Sequence, residues 1–379
     1  MSGSRDAVLL GVGHTHAHVV HQWRTRPIPE ARLICVSDYD IATYSGMLSG
    51  VLAGEYRPDA MTIDLRRLCN AAGAQLVIAN VTGLDVADRQ LIFADRSPLR
   101  FDVLSIGVGS VPSWQRVERV DASHVVQIKP MQTFLARLDA RLRAASVARG
   151  PAPLRLATVG GGAGGVEVTL CLPAYLKRQL GANARFEHTI VCGSPDLLPG
   201  SARGTVHRIG RICQRRGVRI IRNRVVTRVE GATLTFDDGS TPDADVVLWA
   251  TGAAAPCVLS RMTLPTDAGG FLLTKDTLQS TSGAPVFAVG DSGSIDGVPT
   301  PKAGVYAVRQ GPVLWSNLQR MMSAAPLRRY APQRTFLRLL NTGDGRAVGE
   351  WRGISFEGAW SRRVKDFIDR RFVERYKLS

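Results

Sequence analysis

The chain has 379 residues, 45% of them apolar, with 38 glycines and a formal net charge of +16. That length suits two or three domains around a large core. Its longest nearly apolar stretch, residues 246–259, contains Thr251, Gly252 and Pro256 and falls short of the roughly 18 to 20 residues of a membrane span, so no transmembrane helix is expected. The basic excess suits phosphates, anionic lipid or nucleic acid without choosing among them.

In chain order, residues 7–10 read as a strand running into the turn GVGHTH, followed by a helix to about Arg24. The opening MSGSRDAVLLGVG lacks the basic, apolar and small-residue succession of a secretory signal, so a cytoplasmic protein is expected. A strand, a Gly-x-Gly turn and a helix together form the context of a dinucleotide site: glycine lets the backbone approach a pyrophosphate, and the helix N-terminus offers unpaired N–H groups. Gly11 and Gly13 meet the first two requirements, but His16 stands where a third glycine would sit. A helix and strand slightly farther apart than usual are therefore expected. Four histidines, His14, His16, His18 and His21, crowd this segment, yet it supplies no acid or cysteine, and the positive end of a helix is a poor place for a cation. No metal site is expected; His14 is placed to donate to an anion, and His18 and His21 read as ordinary helix residues. Asp38, after the strand RLICVS, stands where an acid accepts hydrogen bonds from a ribose.

Six scattered cysteines without a close pair argue against a zinc cluster or a disulfide framework. At 156–172 the plan of the first turn returns as LATVGGGAGGVEVTLCL, now with all three glycines, Gly160, Gly162 and Gly165, and Glu167 behind them. The stretch TIVCGSPD that follows offers Gly193 and Ser194 where a carboxylate is usual, leaving both NADH and NADPH open. Arginines 211, 215, 216, 219, 222, 224 and 228 fit a helix and strand with a solvated face.

A longer echo supports two copies of one plan. Phe93, Asp95, Ser97, Asp102 and Val103 recur 143 residues later as Phe236, Asp238, Ser240, Asp245 and Val246. Each copy leads through a polar hairpin into an apolar strand ending in glycine, LSIGVGS and LWATGAA. The expected fold is α/β, with two Rossmann-like nucleotide-binding units, each a parallel sheet plus a β-meander, one inserted in the other. VFAVGD at 286–291 reads as a buried strand, 302–318 as a long helix, and the tail from about Pro326 as short strands and a helix over 361–376.

The motifs GVGHTH, VGGGAGGVE, LWATGAA and VFAVGD, in that order, resemble the pyridine nucleotide-disulfide oxidoreductase superfamily of FAD/NAD(P)-binding flavoproteins. YSGML (Tyr44 to Leu48), PKAGVYAVRQGP and NTGDGRAVGEW resemble its NADH dehydrogenase-like branch, which also occurs fused ahead of selenide, water dikinase. The resemblance implies an FAD unit over residues 1–114 and 249–325, an inserted NAD(P)H unit over 115–248, and a small α+β C-terminal region over 326–379. It implies FAD on Gly11, Gly13, His14 and His16, with Ser45, Gly109, Gly290, Ala303 and Gly304 around it. Asp291 would bind the ribityl chain and Val81 the adenine through its backbone. Lys302 would strengthen the positive helix end beside the flavin. Gly160, Gly162, Gly165 and Gly252 would hold NADH or NADPH, with Glu167 on the cofactor side in a catalytic role.

Departures narrow the implied chemistry. No redox cysteine pair follows the first turn, and Cys35 and Cys69 lie far apart in sequence; no cysteine follows Cys257. Disulfide relay and sulfide oxidation are therefore disfavoured. Gly304, Val305 and Arg309 replace the Ala-Gln…Gln pattern beside the quinone in type II NADH dehydrogenases. The expected activity is FAD-dependent NAD(P)H oxidation with an unidentified acceptor, a quinone among the candidates. The alternative is a non-catalytic flavoprotein partner or sensor in selenium or sulfur metabolism. No nucleic acid partner is expected. In the last helix Trp360, Val364, Ile368, Phe372 and Tyr376 recur every four residues among arginines; docking on the protein's own body is the first expectation, and contact with anionic lipid at the inner membrane face the second.

Overall fold

The computed structural model describes residues 4–115 and 117–377. The elements that position the site begin with β1 (Arg5–Leu10), α1 (His14–Thr25), β2 (Ala31–Ser37), α2 (Leu48–Ala53), α3 (Leu65–Ala71), β3 (Gln75–Ile78) and β4 (Val103–Ile106). The chain continues through β5 (Val125–Gln127), α4 (Met131–Arg149), β6 (Leu154–Val159), α5 (Ala163–Leu180), β7 (Phe186–Val191), α6 (Arg203–Arg215), β8 (Arg219–Ile221) and β9 (Val246–Trp249). It closes with β10 (Val286–Ala288), α7 (Gly304–Met322), β11 (Arg338–Asn341), β12 (Ala347–Trp351), β13 (Ile354–Gly358) and α8 (Ala359–Glu374).

Two parallel sheets of five strands carry the same plan. The first has the order β10-β4-β1-β2-β3 and the second β5-β9-β6-β7-β8. Their central strands, β1 and β6, are nearly continuous apolar runs because helices and small sheets cover both faces. Each of these strands feeds a glycine turn. The echo of 143 residues holds in space: Gln90–Phe93 and β4 correspond to Thr233–Phe236 and β9. The small antiparallel sheet beside β1 is a simple meander of Val81–Asp85, Gln90–Phe93 and Leu99–Arg100. Its counterpart departs from a meander, because Glu118–Asp121 joins from before α4 and pairs parallel with Val226–Glu230.

The chain passes between the two units twice, and the crossing segments pair with each other. Val111 sits opposite Ala254 and Pro112 opposite Ala253 in an antiparallel ribbon. Trp114 stacks on Trp249 beside it, with centroids 4.1 Å apart and rings 8° from parallel. Trp249 itself pairs with Val159 and Gln127. A chain break between residues 248 and 249 would thus cut through β9.

Two elements differ from the sequence reading. α4 has no counterpart in the sequence reading, although Phe134, Leu138, Leu142 and Ala145 form a clear buried stripe. α8 docks on the body, but not through its apolar stripe alone. Phe372 and Tyr376 are buried, whereas Trp360 is 53%, Phe367 62% and Ile368 43% exposed. The helix instead turns charge inward, burying Arg362, Lys365 and Asp369. Half-buried acids on facing elements select that orientation: Arg362 Nη2 lies 2.6 Å from Glu55 Oε2 and Lys365 Nζ 3.9 Å from Glu167, while the buried Asp369, one turn along α8 itself, lies 3.1 Å from Lys365.

Candidate functional site

A cavity of about 590 Å³ lies at the C-terminal end of the first sheet. Its wall includes Gly11, Gly13, His14, His16, Asp38 and Ser45. It also includes Val81, Gly109, Gly290 and Asp291, and then Lys302, Ala303 and Gly304. The fold thus brings together every residue that the sequence reading attached to the first turn. They come from six separate segments, gathered because parallel strands place all their C-terminal ends on one edge.

The turn is built for close approach. Gly11 has φ +78°, and a Cβ there would lie 2.7 Å from the Gly107 carbonyl oxygen. His16 is seated inside the turn. Its buried ring bonds the Gly11 carbonyl through Nδ1, and Nε2 lies 2.8 Å from Ser105 Oγ. Space for the ring comes from the opposite wall, since a Cβ on Gly107 would stand 2.7 Å from His16 Cε1. The missing third glycine of α1 is compensated by a glycine after β4.

The four clustered histidines diverge. His14 packs against Tyr44 and Phe372, with centroids at 5.2 and 5.4 Å. His18 lies against Gly311, where a Cβ would come within 2.9 Å of it, at the α1–α7 crossing. His21 meets Tyr376 edge-on at 5.7 Å. Burial lowers the pKa of His14 to about 4, with Asp291 opposing and Lys129 reinforcing the shift, so its imidazole is neutral at neutral pH.

Asp291 follows β10 in the short turn Gly290–Ser292 and accepts hydrogen bonds from Ser110 Oγ at 2.7 Å and Lys129 Nζ at 3.2 Å. Lys129 was not foreseen. It stands two residues after β5, in the inserted unit, and reaches across to the first unit's cavity; the only signal is a lysine just past a strand of the second copy. Asp38 accepts from Asn80 Nδ2 at 3.4 Å, and burial raises its pKa. Lys302 is committed elsewhere than expected. Its ammonium donates to the Gly293 carbonyl at 2.7 Å and to Ser294 Oγ at 2.8 Å and lies 3.9 Å from the Phe271 ring centroid. Burial lowers its pKa to about 8 against the pull of Asp267 and Asp291.

In the second turn Gly160 has φ +125°, and Cβ atoms at Gly160 and Gly165 would lie 2.1 Å from the Ala250 oxygen and 1.9 Å from the Gly160 oxygen. Gly162 is the N-cap of α5, with open space where its Cβ would be. The Gly252 carbonyl accepts the Ser113 N–H at 2.8 Å, at the crossing ribbon. Glu167 departs from its expected cofactor-side place. Its Oε1 accepts from Ser49 Oγ and from the Asn341 N–H, both at 2.9 Å, on the α5 face that packs on α2 and β11. The carboxylate joins the body to the C-terminal region.

Cys35 and Cys69, distant in sequence, meet in the core of the first unit, where contact with the Cys69 thiol and burial raise the Cys35 pKa. Neither lines the cavity.

A family model described as pyridine nucleotide-disulphide oxidoreductase matches residues 8–311, spanning both turns and Asp291. The chain belongs to that family. Over 261 residues it is 30% identical to the biphenyl dioxygenase system ferredoxin–NAD(+) reductase component of Paraburkholderia xenovorans, covering 67% of this chain and 58% of the relative. It spans about half the length of the first curated relatives it matches. An NADH dehydrogenase-like protein of Bacillus subtilis, YutJ, is 22% identical over 342 residues, covering 87% of each chain. The fold is that of the sulfide:quinone oxidoreductase of Aquifex aeolicus, with a TM-score of 0.80 at 15% identity, covering 98% of this chain and 91% of that one.

Pyridine nucleotide-disulphide oxidoreductase family membership implies a flavin dinucleotide, and the first turn fits one. α1 and α7 both begin without a side-chain cap or an acid in the first turn, leaving their leading N–H groups for anionic partners. Gly11 and Gly13 keep the backbone bare beside α1, and His14 Nε2 is buried at the cavity wall without a partner.

Proposed function

We propose that the chain is an FAD-dependent NAD(P)H oxidoreductase. The observation that carries this reading is the single cavity running from the α1 glycine turn, past Asp38 and Val81, to Asp291 and the start of α7. In this reading residues 1–114 and the chain from the end of β9 to 325 form the FAD unit, 115–249 the nicotinamide unit, with β9 kept whole, and 326–379 the C-terminal region. The chemistry that FAD supplies when bound is two-electron reduction by NAD(P)H and release of those electrons to an acceptor.

The chain's own residues bind and tune. Gly11, Gly13 and the α1 N-terminus take the pyrophosphate, Asp38 the ribose and the Val81 backbone the adenine. Asp291, held by Ser110 and Lys129, takes the ribityl hydroxyls. The α7 N-terminus at Ala303 and Gly304 places partial positive charge where negative charge develops on reduction. Lys129 adds a full charge near the same wall. Gly160, Gly162 and Gly165 hold the nicotinamide nucleotide. The expected result is a yellow protein whose absorbance near 450 nm (about the flavin maximum) bleaches within seconds of adding NADH or NADPH without oxygen. Flavin that neither nucleotide reduces would overturn the assignment and favour a non-catalytic redox partner.

We favour a quinone as acceptor. Among the described residues no helix is long and apolar enough to cross a membrane. α8, however, presents Trp360, Phe367 and Ile368 outward beside the exposed Arg363 and Arg371. Aromatic and aliphatic side chains ringed by arginines suit an anionic lipid surface. The wild-type protein is expected to sediment with phosphatidylglycerol vesicles, and a Phe367→Glu, Ile368→Glu variant to stay in solution. Wild type remaining in solution would send the search to soluble acceptors.

A further inference from the structure

The corner beyond the second turn has a chemistry of its own. A dinucleotide on a doubly wound sheet lays its pyrophosphate at the turn and its adenosine ribose at the end of the next strand, where an acid accepts the ribose hydroxyls. Here that strand is β7, and it runs on into Cys192, Gly193 and Ser194, none of them acidic.

The loops after β7 and β8 are strapped together. Asn223 N–H donates to the Ser194 carbonyl and Arg224 N–H to the Cys192 carbonyl, both at 3.2 Å. A Cβ on Gly193 would lie 3.3 Å from Val225 Cγ2. These contacts set Arg222 and Arg224 beside Ser194. Burial raises the Cys192 pKa, and the nearby Arg222 charge opposes that rise.

The two arginines differ in availability. Arg224 is held by Asp238 at 2.5 Å. Arg222 is exposed, and among the described residues it makes no ion pair. Ser194 and Arg222 share the wall of a cavity of about 840 Å³ with Arg203, His207 and Arg211. The acid on that wall, Asp196, is exposed, and its carbonyl accepts the Ser194 hydroxyl at 2.6 Å.

Resting on the two-turn reading above, we propose that this corner is a 2′-phosphate subsite, that the nucleotide used is NADPH, and that Arg222 and Ser194 determine the choice. A guanidinium forms two parallel, charge-assisted hydrogen bonds to a phosphate dianion. Ser194, whose hydroxyl proton goes to the Asp196 carbonyl, puts a small neutral side chain where a carboxylate would repel the phosphate. The free 2′-hydroxyl of NADH finds no carboxylate at positions 192–194 to accept from it, the acid of this wall, Asp196, standing farther along the loop.

The test titrates the flavin-loaded protein with 2′,5′-ADP and with 5′-AMP, following heat. 2′,5′-ADP is expected to bind at least about tenfold more tightly. Arg222→Ala should weaken 2′,5′-ADP about tenfold and leave 5′-AMP unchanged, with Arg222→Lys in between. Added salt should weaken 2′,5′-ADP more steeply than 5′-AMP, which carries one phosphate rather than two. In the kinetic arm, kcat/KM should favour NADPH over NADH in the wild type and lose that preference in Arg222→Ala. Equal affinity for the two ligands, or an Arg222→Ala loss shared by both, would overturn the subsite. Preferential 2′,5′-ADP binding without flavin reduction would sustain the subsite and defeat the oxidoreductase reading instead.

Discussion

Gly165→Ala is expected to abolish nicotinamide nucleotide binding while leaving flavin in place. The new methyl would stand 1.9 Å from the Gly160 carbonyl oxygen and 3.5 Å from Ala250 Cβ, so α5 must move off β6 and β9. Overpacking against backbone, which cannot rotate away, costs roughly 3 kcal/mol or more. The same movement withdraws the α5 N–H groups from the phosphates. Gly162→Ala is the matched control for stability: nothing lies within 4 Å of its Cβ position, and φ there is −74°, so the variant should unfold like wild type. Thermal unfolding of the two variants checks the contrast, and titration of each with NADPH and with FAD reads binding separately. Similar unfolding of both would mean that α5 does not need its close approach to the strand.

Lys365→Met is expected to destabilise the protein by roughly 3–5 kcal/mol, because removing one partner leaves buried charge uncompensated. Lys365 Nζ also donates to the Gly46 carbonyl at 2.8 Å. Burial works against its charge, but Glu167 and Asp369 outweigh that and hold its pKa above the ordinary value. Asp369 is raised, chiefly by burial, with Lys365 opposing. A carboxyl whose folded pKa is raised penalises the folded state above its unfolded pKa, and the penalty fades as pH falls through the folded value. Without Lys365 that penalty grows. The variant should therefore regain stability relative to wild type between pH 7 and about pH 5, and Asp369→Asn in the same chain should restore part of the loss at pH 7. Urea unfolding at the two pH values reads both effects; a deficit independent of pH would place the damage in packing.

Much of the cavity was legible because its signals are local. A strand, a glycine turn and a helix occupy adjacent residues, and Asp38, Val81 and Asp291 each sit at the end or start of an apolar run. The parallel sheet then brings those ends together without further information. What escaped depends on contacts between distant segments. Lys129 comes from the other unit. Glu167 lies near its glycine turn in sequence, but the helix period points it at Ser49 and Asn341. The exchange between His16 and Gly107 needs knowledge of which residue faces the helix across the sheet. α8 misled in the opposite way: its apolar spacing promised a buried stripe, while acids on α5 and after α2 drew in its cations.

The crossing ribbon bears on how the molecule could be taken apart. Val111 and Ala254 are direct antiparallel partners, and such Cα atoms stand about 4.5–5.5 Å apart. The insertion therefore begins and ends at nearly one point. Joining residue 111 to residue 254 through a two-residue hairpin loop would excise the nicotinamide unit and leave the first sheet's strand order intact. Chain path and packing divide the molecule differently, because α2 lies on α5 and one apolar cluster runs through both units, so that cut would bare a core face of the flavin unit.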